Sequence, residues 1–371
     1  MCDYRNMTED PGWTEVGEQL RQARLAIGMS QADLASRVGL DRTMIAKIEA
    51  GNRRVDALEL ARLSLVLQVP MDYLLQPQPR ILSRRTQVMT EDSDTEMARE
   101  SHRLEVALVI WLRELQQLIE LGLLRSQPLL IYPASVESPA AARDAALWAR
   151  EQLGFDDGPI DALMEFCERA GQYVLVTELP GDGASIVDGD LAAAVVSLRG
   201  DPGRRRATVA HELGHLMLGD EYSSDLGVHA SRAEREAAVD VFAAELLLPT
   251  RVVAAESRGG AISREGLIRL AARHRTSWSL ALRQAVHAGV LEAHDRRRWS
   301  QSSPTRAEFL DAVGWVPQPD LESVRVPPGY AHAVITAWRN CLVTSARAVE
   351  LMHGQISASD LPSRDEMDLE P

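Results

Sequence analysis

Residues 211–215 read HELGH, the head of the longer stretch HELGHLMLG at 211–219. On a helix, side chains four positions apart share one face. His211 and His215 therefore present two imidazoles to a single point, and Glu212 places a carboxylate beside the first. Two imidazoles and a carboxylate at this spacing suit one Zn²⁺ with a water held next to it. The chemistry that follows is hydrolysis, with Glu212 as general base. Leu213, Leu216 and Met217 give the helix an apolar side, and Gly214 lets another element approach closely. With nine histidines in the chain, an accidental H-E-x-x-H is roughly a one-in-a-hundred event. The plain alternative is a pair of histidines hydrogen-bonded within a helical core.

A catalytic zinc has three protein ligands and one open position. The third is expected downstream, on a helix packed against the first, from among His229, Glu234, Glu236, Asp240 and Glu245. Glu236 is the best choice, because Asp240 then lies one turn later on the same face. From there it can orient a zinc histidine through the other ring nitrogen. Otherwise that helix is apolar along one side, with Phe242, Leu246 and Leu247, so polar residues there need a reason. His229 and Tyr222 are candidate donors to an oxyanion.

Working outward, 171–200 is β-like. Tyr173–Thr177, Ser185–Val187 and Ala193–Leu198 read as a small meander of two or three strands, with glycine turns between them. Helices are expected at 204–218 and 233–248, and further on at 264–273, 279–288, 304–313, 331–342 and 345–353. Upstream, Leu104, Leu108, Trp111, Leu115 and Leu118 recur at helical spacing. The stretch 76–98, with two prolines and a polar run, reads as a linker long enough for substantial relative freedom.

Residues 15–67 carry a second constellation. Ser30 suits an N-cap, Gly39 a tight turn, and Asp41 a second cap, with Ile45 and Ile48 facing inward. Two short helices crossing through a glycine turn are what a helix-turn-helix requires. The third helix would enter the major groove with Arg42, Thr43, Ala46 and Lys47; Thr43 and Ala46 can read base edges, Arg42 and Lys47 can reach bases or phosphates, and Gln31, Arg53 and Arg54 are natural phosphate contacts. A protein-binding helical bundle is the bland rival. Thr14 to Leu75 holds eight basic and eight acidic residues, but Arg42 to Arg54 holds four basic residues against Glu49. The footprint is narrow, so specific binding calls for two modules on a two-fold site, hence a homodimer.

The net charge of -14 argues against general polyanion binding. Cys2, Cys167 and Cys341 form no C-x-x-C pair and no disulfide framework, and no long apolar run spans a membrane. No signal peptide opens the chain. A cytoplasmic location is expected, with an intracellular substrate.

The segment MSQADLASRVGLDRTMIAKIEAGNRR at 29–54 resembles the Cro/C1-type helix-turn-helix family, which binds operator DNA as dimers. HELGHLMLG at 211–219, EREAAVDVFAAELLLP at 234–249 and GYAHAVITAWRNCLVTSARAVELMHGQISASDLP at 329–362 together resemble the ImmA/IrrE metallopeptidases, gluzincin-like in site design. That resemblance implies one Zn²⁺ per chain held by His211, His215 and Glu236, Glu212 as base, and a transcriptional repressor as substrate. Asp240 follows Val239 where that family commonly has Ala-Asn, and Gly219-Asp220 replaces its common histidine.

The expected fold is mainly α and multidomain. A flexible leader (1–13) precedes an all-α helix-turn-helix bundle (14–75), the linker (76–98) and an α+β zincin-like metallopeptidase domain with a small sheet (99–320). A helical C-terminal region (321–362) and an acidic tail (363–371) follow. The expected function is a DNA-binding transcriptional regulator whose zinc endopeptidase domain cleaves a repressor-like protein or itself. The alternative is a transcription factor whose zinc-bearing domain senses a ligand, metal or partner.

Overall fold

The computed structural model describes residues 12–75, 81–84, 96–219, 229–257, 259–317 and 321–364. It is mainly helical, with one small mixed sheet.

The N-terminal bundle comprises α1 (Trp13–Ala26), α2 (Gln31–Val38), α3 (Arg42–Glu49), α4 (Ala57–Leu67) and α5 (Met71–Leu75). A reciprocal Ser30–Asp33 capping box starts α2, and Gly39 ends it at φ 74°. Only glycine adopts such a left-handed turn at little cost. Asp41 occupies the N-cap position of α3 but makes no side-chain cap bond there. A second capping box, Asp56 with Glu59, opens α4. Leu20, Ala23, Leu34, Ala35, Ile45, Ile48, Leu63 and Leu67 form the core. Gly17 is where α1 crosses α3, since a Cβ there would lie 2.3 Å from the Ile48 carbonyl oxygen.

Two elements follow that bundle in sequence, β1 (Ile81–Arg84) and the long α6 (Glu96–Glu120). The linker reading of 76–98 missed β1. Four residues carry no strand pattern of their own, and a sheet edge supplies their partner. Relative freedom of the bundle is not what the contacts show. Val106 and Val109 of α6 join the bundle's core, and Arg103 Nε donates to the Ala26 carbonyl at 2.9 Å. Leu104, Leu108, Trp111, Leu112, Leu115 and Leu118 meanwhile line a different core. One helix thus serves two hydrophobic clusters.

Next come α7 (Pro139–Gln152), α8 (Leu163–Arg169), β2 (Gln172–Thr177), β3 (Gly183–Asp188), β4 (Leu191–Ser197), α9 (Pro202–Met217) and α10 (His229–Leu247). After these run α11 (Thr250–Glu256), α12 (Arg264–His274), α13 (Trp278–His287), α14 (Ala293–Ser300), α15 (Arg306–Val313), α16 (Pro328–Arg339) and α17 (Ser345–Leu351). The sheet order is β1-β3-β4-β2. β3 and β4 form an antiparallel hairpin, but β2 pairs with β4 in parallel, so the strands are not a simple meander. Alternate residues explain this. Val174, Val176, Ala192, Ala194 and Val196 face the core shared with α9 and α10, whereas Tyr173, Leu175, Ala193 and Val195 face the core shared with α6 and α16. Strands buried on both faces suit parallel pairing. The expected C-terminal region therefore closes the far face of the sheet. Arg325 bridges Val176 at the β2 edge.

His274 is buried against this framework, its Nδ1 3.1 Å from the Leu247 carbonyl oxygen. Burial holds its pKa below the usual histidine range, more than the carbonyl bond raises it. The unfolded chain thus takes up the proton first as pH falls. The stability from neutral His274 is full above the unfolded value of about 6.5 and is lost as pH drops through the folded one. Thermal midpoints measured between about pH 7 and about pH 5 should fall more steeply for wild type than for His274→Gln, whose amide keeps the bond to Leu247. Equal slopes would show that His274 is not the responsible group.

Candidate metal centre and nucleic-acid face

Asp201 starts α9 by accepting bonds from the Gly203 and Arg204 amides, with Pro202 at the first helical position. Such a start is favourable because proline lacks only an N–H that the helix leaves unused. From Thr208 to Met217 the helix is buried between the sheet and α10. His211 and His215 lie on its α10 side. Gly214 sits at the crossing, where a Cβ would approach Val239 Cγ1 and Phe242 Cδ1, each to 3.0 Å. Gly214→Ala should therefore press α10 away, weaken zinc retention against a chelator and leave the fold intact. Unchanged retention would show that the crossing has slack.

His211 Nε2 lies 3.1 Å from His215 Nε2 and 3.3 Å from Glu236 Oε2, and His215 Nε2 lies 3.8 Å from the same oxygen. These three are the group of acid and imidazole side chains among the described residues that could hold an ion. Ligands at about 2.0–2.1 Å from one tetrahedral zinc stand about 3.3 Å apart, so the spacing fits. Asp240 Oδ1 lies 3.0 Å from His211 Nδ1. An ionised carboxylate only accepts, so the Nδ1–H donates and Nε2 presents its lone pair toward the other two ligand atoms. Two imidazole nitrogens and a carboxylate oxygen at these distances repel unless a proton or cation lies among them.

Glu212 is wholly buried. Its Oε2 accepts from Ser185 Oγ at 2.8 Å, and its backbone carbonyl accepts from Gln172 Nε2 at 2.9 Å. Glu212 Oε1 is buried with no hydrogen-bond partner among the described residues. A buried carboxylate oxygen without a partner is costly, and a polar guest within its reach would relieve it. Ser185 and Gln172 escaped the sequence reading. The signal was there, since a serine inside an apolar strand needs a partner once both sheet faces are covered.

Other expected residues separate cleanly. Glu245 stands apart from the triad, accepting from Thr250 N and Oγ1 at 2.9 Å and from Gln284 Nε2 at 3.0 Å. Glu234 is exposed on α10. His229 opens α10, but its side chain lies outside the described residues, as does all of Tyr222.

On the N-terminal bundle, α3 exposes Arg42, Thr43 and Lys47, with Ala46 half-buried between them, and Arg54 is exposed beyond its end. Arg53 is instead held by Glu59 through two bonds of 2.8 and 2.6 Å. Gln31 Nε2 donates to Glu49 Oε2 at 2.8 Å, using one of its two amide protons. No helix among the described residues is long and apolar enough to cross a membrane.

Comparison with known proteins follows the same division. Residues 20–74 match the family model described as helix-turn-helix, and residues 167–285 match that of the IrrE N-terminal-like domain of the M78 peptidases. A transcriptional regulator in the ATPase CF(0) region of Rhodospirillum rubrum is 40% identical over 58 residues, covering 16% of this chain and 54% of that protein. An HTH-type transcriptional regulator of Sinorhizobium medicae is 36% identical over 64 residues, covering 17% and 46%. The chain spans about half the length of the curated relatives it matches. The solved restriction-modification controller protein C.AhdI from Aeromonas hydrophila is 33% identical over 17% of this chain and 96% of its own, with a TM-score of 0.17.

Proposed function

We propose that this chain, which carries a Cro/C1-type helix-turn-helix domain followed by an IrrE N-terminal-like domain, is a DNA-binding transcriptional regulator and zinc endopeptidase. Its substrate is a repressor-like cytoplasmic protein or the chain itself. The observation that carries the reading is the convergence of His211 Nε2, His215 Nε2 and Glu236 Oε2, with Glu212 the next residue after His211 on α9 and its buried Oε1 without a hydrogen-bond partner among the described residues.

Those three residues would hold one zinc ion per chain. When bound it would supply Lewis acidity and a water acidic enough to ionise near neutral pH. The protein's own groups do the rest. Ser185 occupies one oxygen of Glu212, so Oε1 is the one left to accept the attacking water's proton and pass it to the leaving amine. Asp240 fixes the tautomer of His211. His229 and Tyr222 stay as candidates for the oxyanion donor.

Elemental analysis together with degradation in cell extract tests this reading. Wild type should retain about one equivalent of zinc, and Glu236→Gln much less. Wild type but not Glu212→Gln should then remove one or a few regulatory proteins from the extract. Zinc below about a tenth of an equivalent would overturn the metal site. Full zinc with no cleavage of any protein would favour the sensor reading, to which the relatives' description as regulators also belongs.

The DNA half has its own test. Two copies on a two-fold operator would each place α3 in the major groove. Arg42→Ala and Lys47→Ala should weaken binding to all sequences alike and flatten the salt dependence by about 0.9 per lost phosphate contact. Thr43→Ala should instead change the preference among operator variants. Anisotropy titrations across a salt series separate these effects.

A further inference from the structure

We infer that β1 is an internal blocking strand, holding the sheet edge that an extended peptide substrate of the proposed peptidase would otherwise occupy. The inference deepens the peptidase reading and rests on it for the identity of the displaced ligand. It rests on the sheet itself for the blocking.

β3 is the strand that touches the base. Ser185 Oγ bonds Glu212 Oε2 at 2.8 Å, and a side chain at Gly183 would lie 3.1 Å from Glu212 Oε1. β1 is the next strand outward, antiparallel to β3, with Ser83 opposite Ser185 and Arg84 opposite Ala184. A peptide that adds to an exposed edge makes the same backbone bonds. The edge nearest the base is therefore occupied by this chain's own residues. At the opposite edge β2 makes one isolated bridge, Val176 with Arg325. His211, Glu212 and His215 are themselves buried to within 1% of full burial, although a peptidase must bring a carbonyl group to them.

The blocking strand is also built to leave. It is four residues long, and its register shifts between Ile81 and Ser83, where the ladder is interrupted. So short a pairing has little stability of its own. Exchanging it for another extended segment conserves the ladder bonds, so the balance is set by local concentration. A tethered strand competes at an effective concentration in the millimolar range, which a free peptide must overcome. Its tether leads back to α5, whose Tyr73 and Leu74 sit in the helix-turn-helix core. The chain between Leu75 and Ile81 holds them within about 22 Å.

The test uses the full chain with Ile81→Gly, Leu82→Ser, Ser83→Gly and Arg84→Ser combined, and Leu82→Pro as an independent second variant. The probe is a fluorescein-labelled peptide with the sequence of residues 79–86, PRILSRRT, followed by anisotropy. Hydrogen exchange of residues 183–188 is measured in parallel. Both variants should bind the peptide at least about tenfold more tightly than wild type. Their β3 amides should exchange faster while those of β2 keep their protection, and added peptide should restore the β3 protection. Equal peptide affinity in wild type and variants, or unchanged β3 exchange, would overturn the blocking strand. Glu212→Gln placed in either variant should leave peptide binding intact. Variants that bind the peptide yet hydrolyse no protein would sink the peptidase reading and leave the blocking strand standing.

Discussion

Glu212→Gln is expected to lower peptide hydrolysis by about 10²–10⁴-fold while zinc content and fold stay as in wild type. The size of the loss follows from the role assigned to the side chain. General-base assistance is removed, because an amide cannot take a proton at neutral pH, yet the metal ligands are untouched. Glutamine has nearly the same shape, so the Ser185 hydroxyl keeps a partner and the buried site keeps its packing. The comparison with Ser185→Ala sharpens the assignment. Alanine there removes one bond to Oε2 and leaves the carboxylate in place, so activity should fall by far less. Single-turnover hydrolysis with matched zinc analysis reads both. If the glutamine variant hydrolyses peptide at the wild-type rate, Glu212 is not the base.

The second large effect is on stability. Glu49→Ala should cost the N-terminal bundle about 3–5 kcal/mol, enough to abolish DNA binding, because it strands a buried guanidinium. Glu49 accepts from Arg24 Nε at 2.6 Å, Arg24 Nη2 at 3.0 Å and Gln31 Nε2 at 2.8 Å. Arg24 and Glu49 are 7% and 8% exposed, so water cannot replace the lost carboxylate. Arg24 Nη1 also donates to the Met29 carbonyl, which fixes the turn into α2. The pair therefore ties α1, α2 and α3 together at the start of the recognition unit. Replacing both partners by apolar residues, as in Arg24→Met with Glu49→Leu, should recover most of the loss, since no charge is then left unpaired. Chemical denaturation monitored with operator binding measures both variants. A single variant as stable as wild type would mean that the pair contributes nothing.

Much of this was legible along the chain. Sequence spacing put His211 and His215 on one face, and Glu236 and Asp240 on another, because helical period alone fixes which side chains share a side. The helix-turn-helix was legible for the same reason, with Ser30 and Gly39 marking its turns. Less legible was anything that depends on strands meeting across the sequence. Glu236 was preferred as the third ligand from its spacing to Asp240, but only the fold shows where Glu245 goes instead, toward Thr250 and Gln284. Gln31 and Arg53 read as phosphate contacts, and each has an intramolecular carboxylate in reach that no local pattern announces.

The sequence by itself determined the local chemistry of this protein: two helical modules, their caps, and a histidine-glutamate set able to hold one metal. Those features follow from neighbours within a few residues. Tertiary structure alone decided that β2 runs parallel to β4, that α6 serves two cores, that Ser185 holds Glu212, and that residues 81–84 complete the sheet edge beside it. The physical reason is the same in each case. A strand edge, a shared core and a buried carboxylate are satisfied only by partners that folding brings in from distant positions, and such partners leave no periodic trace in either segment alone.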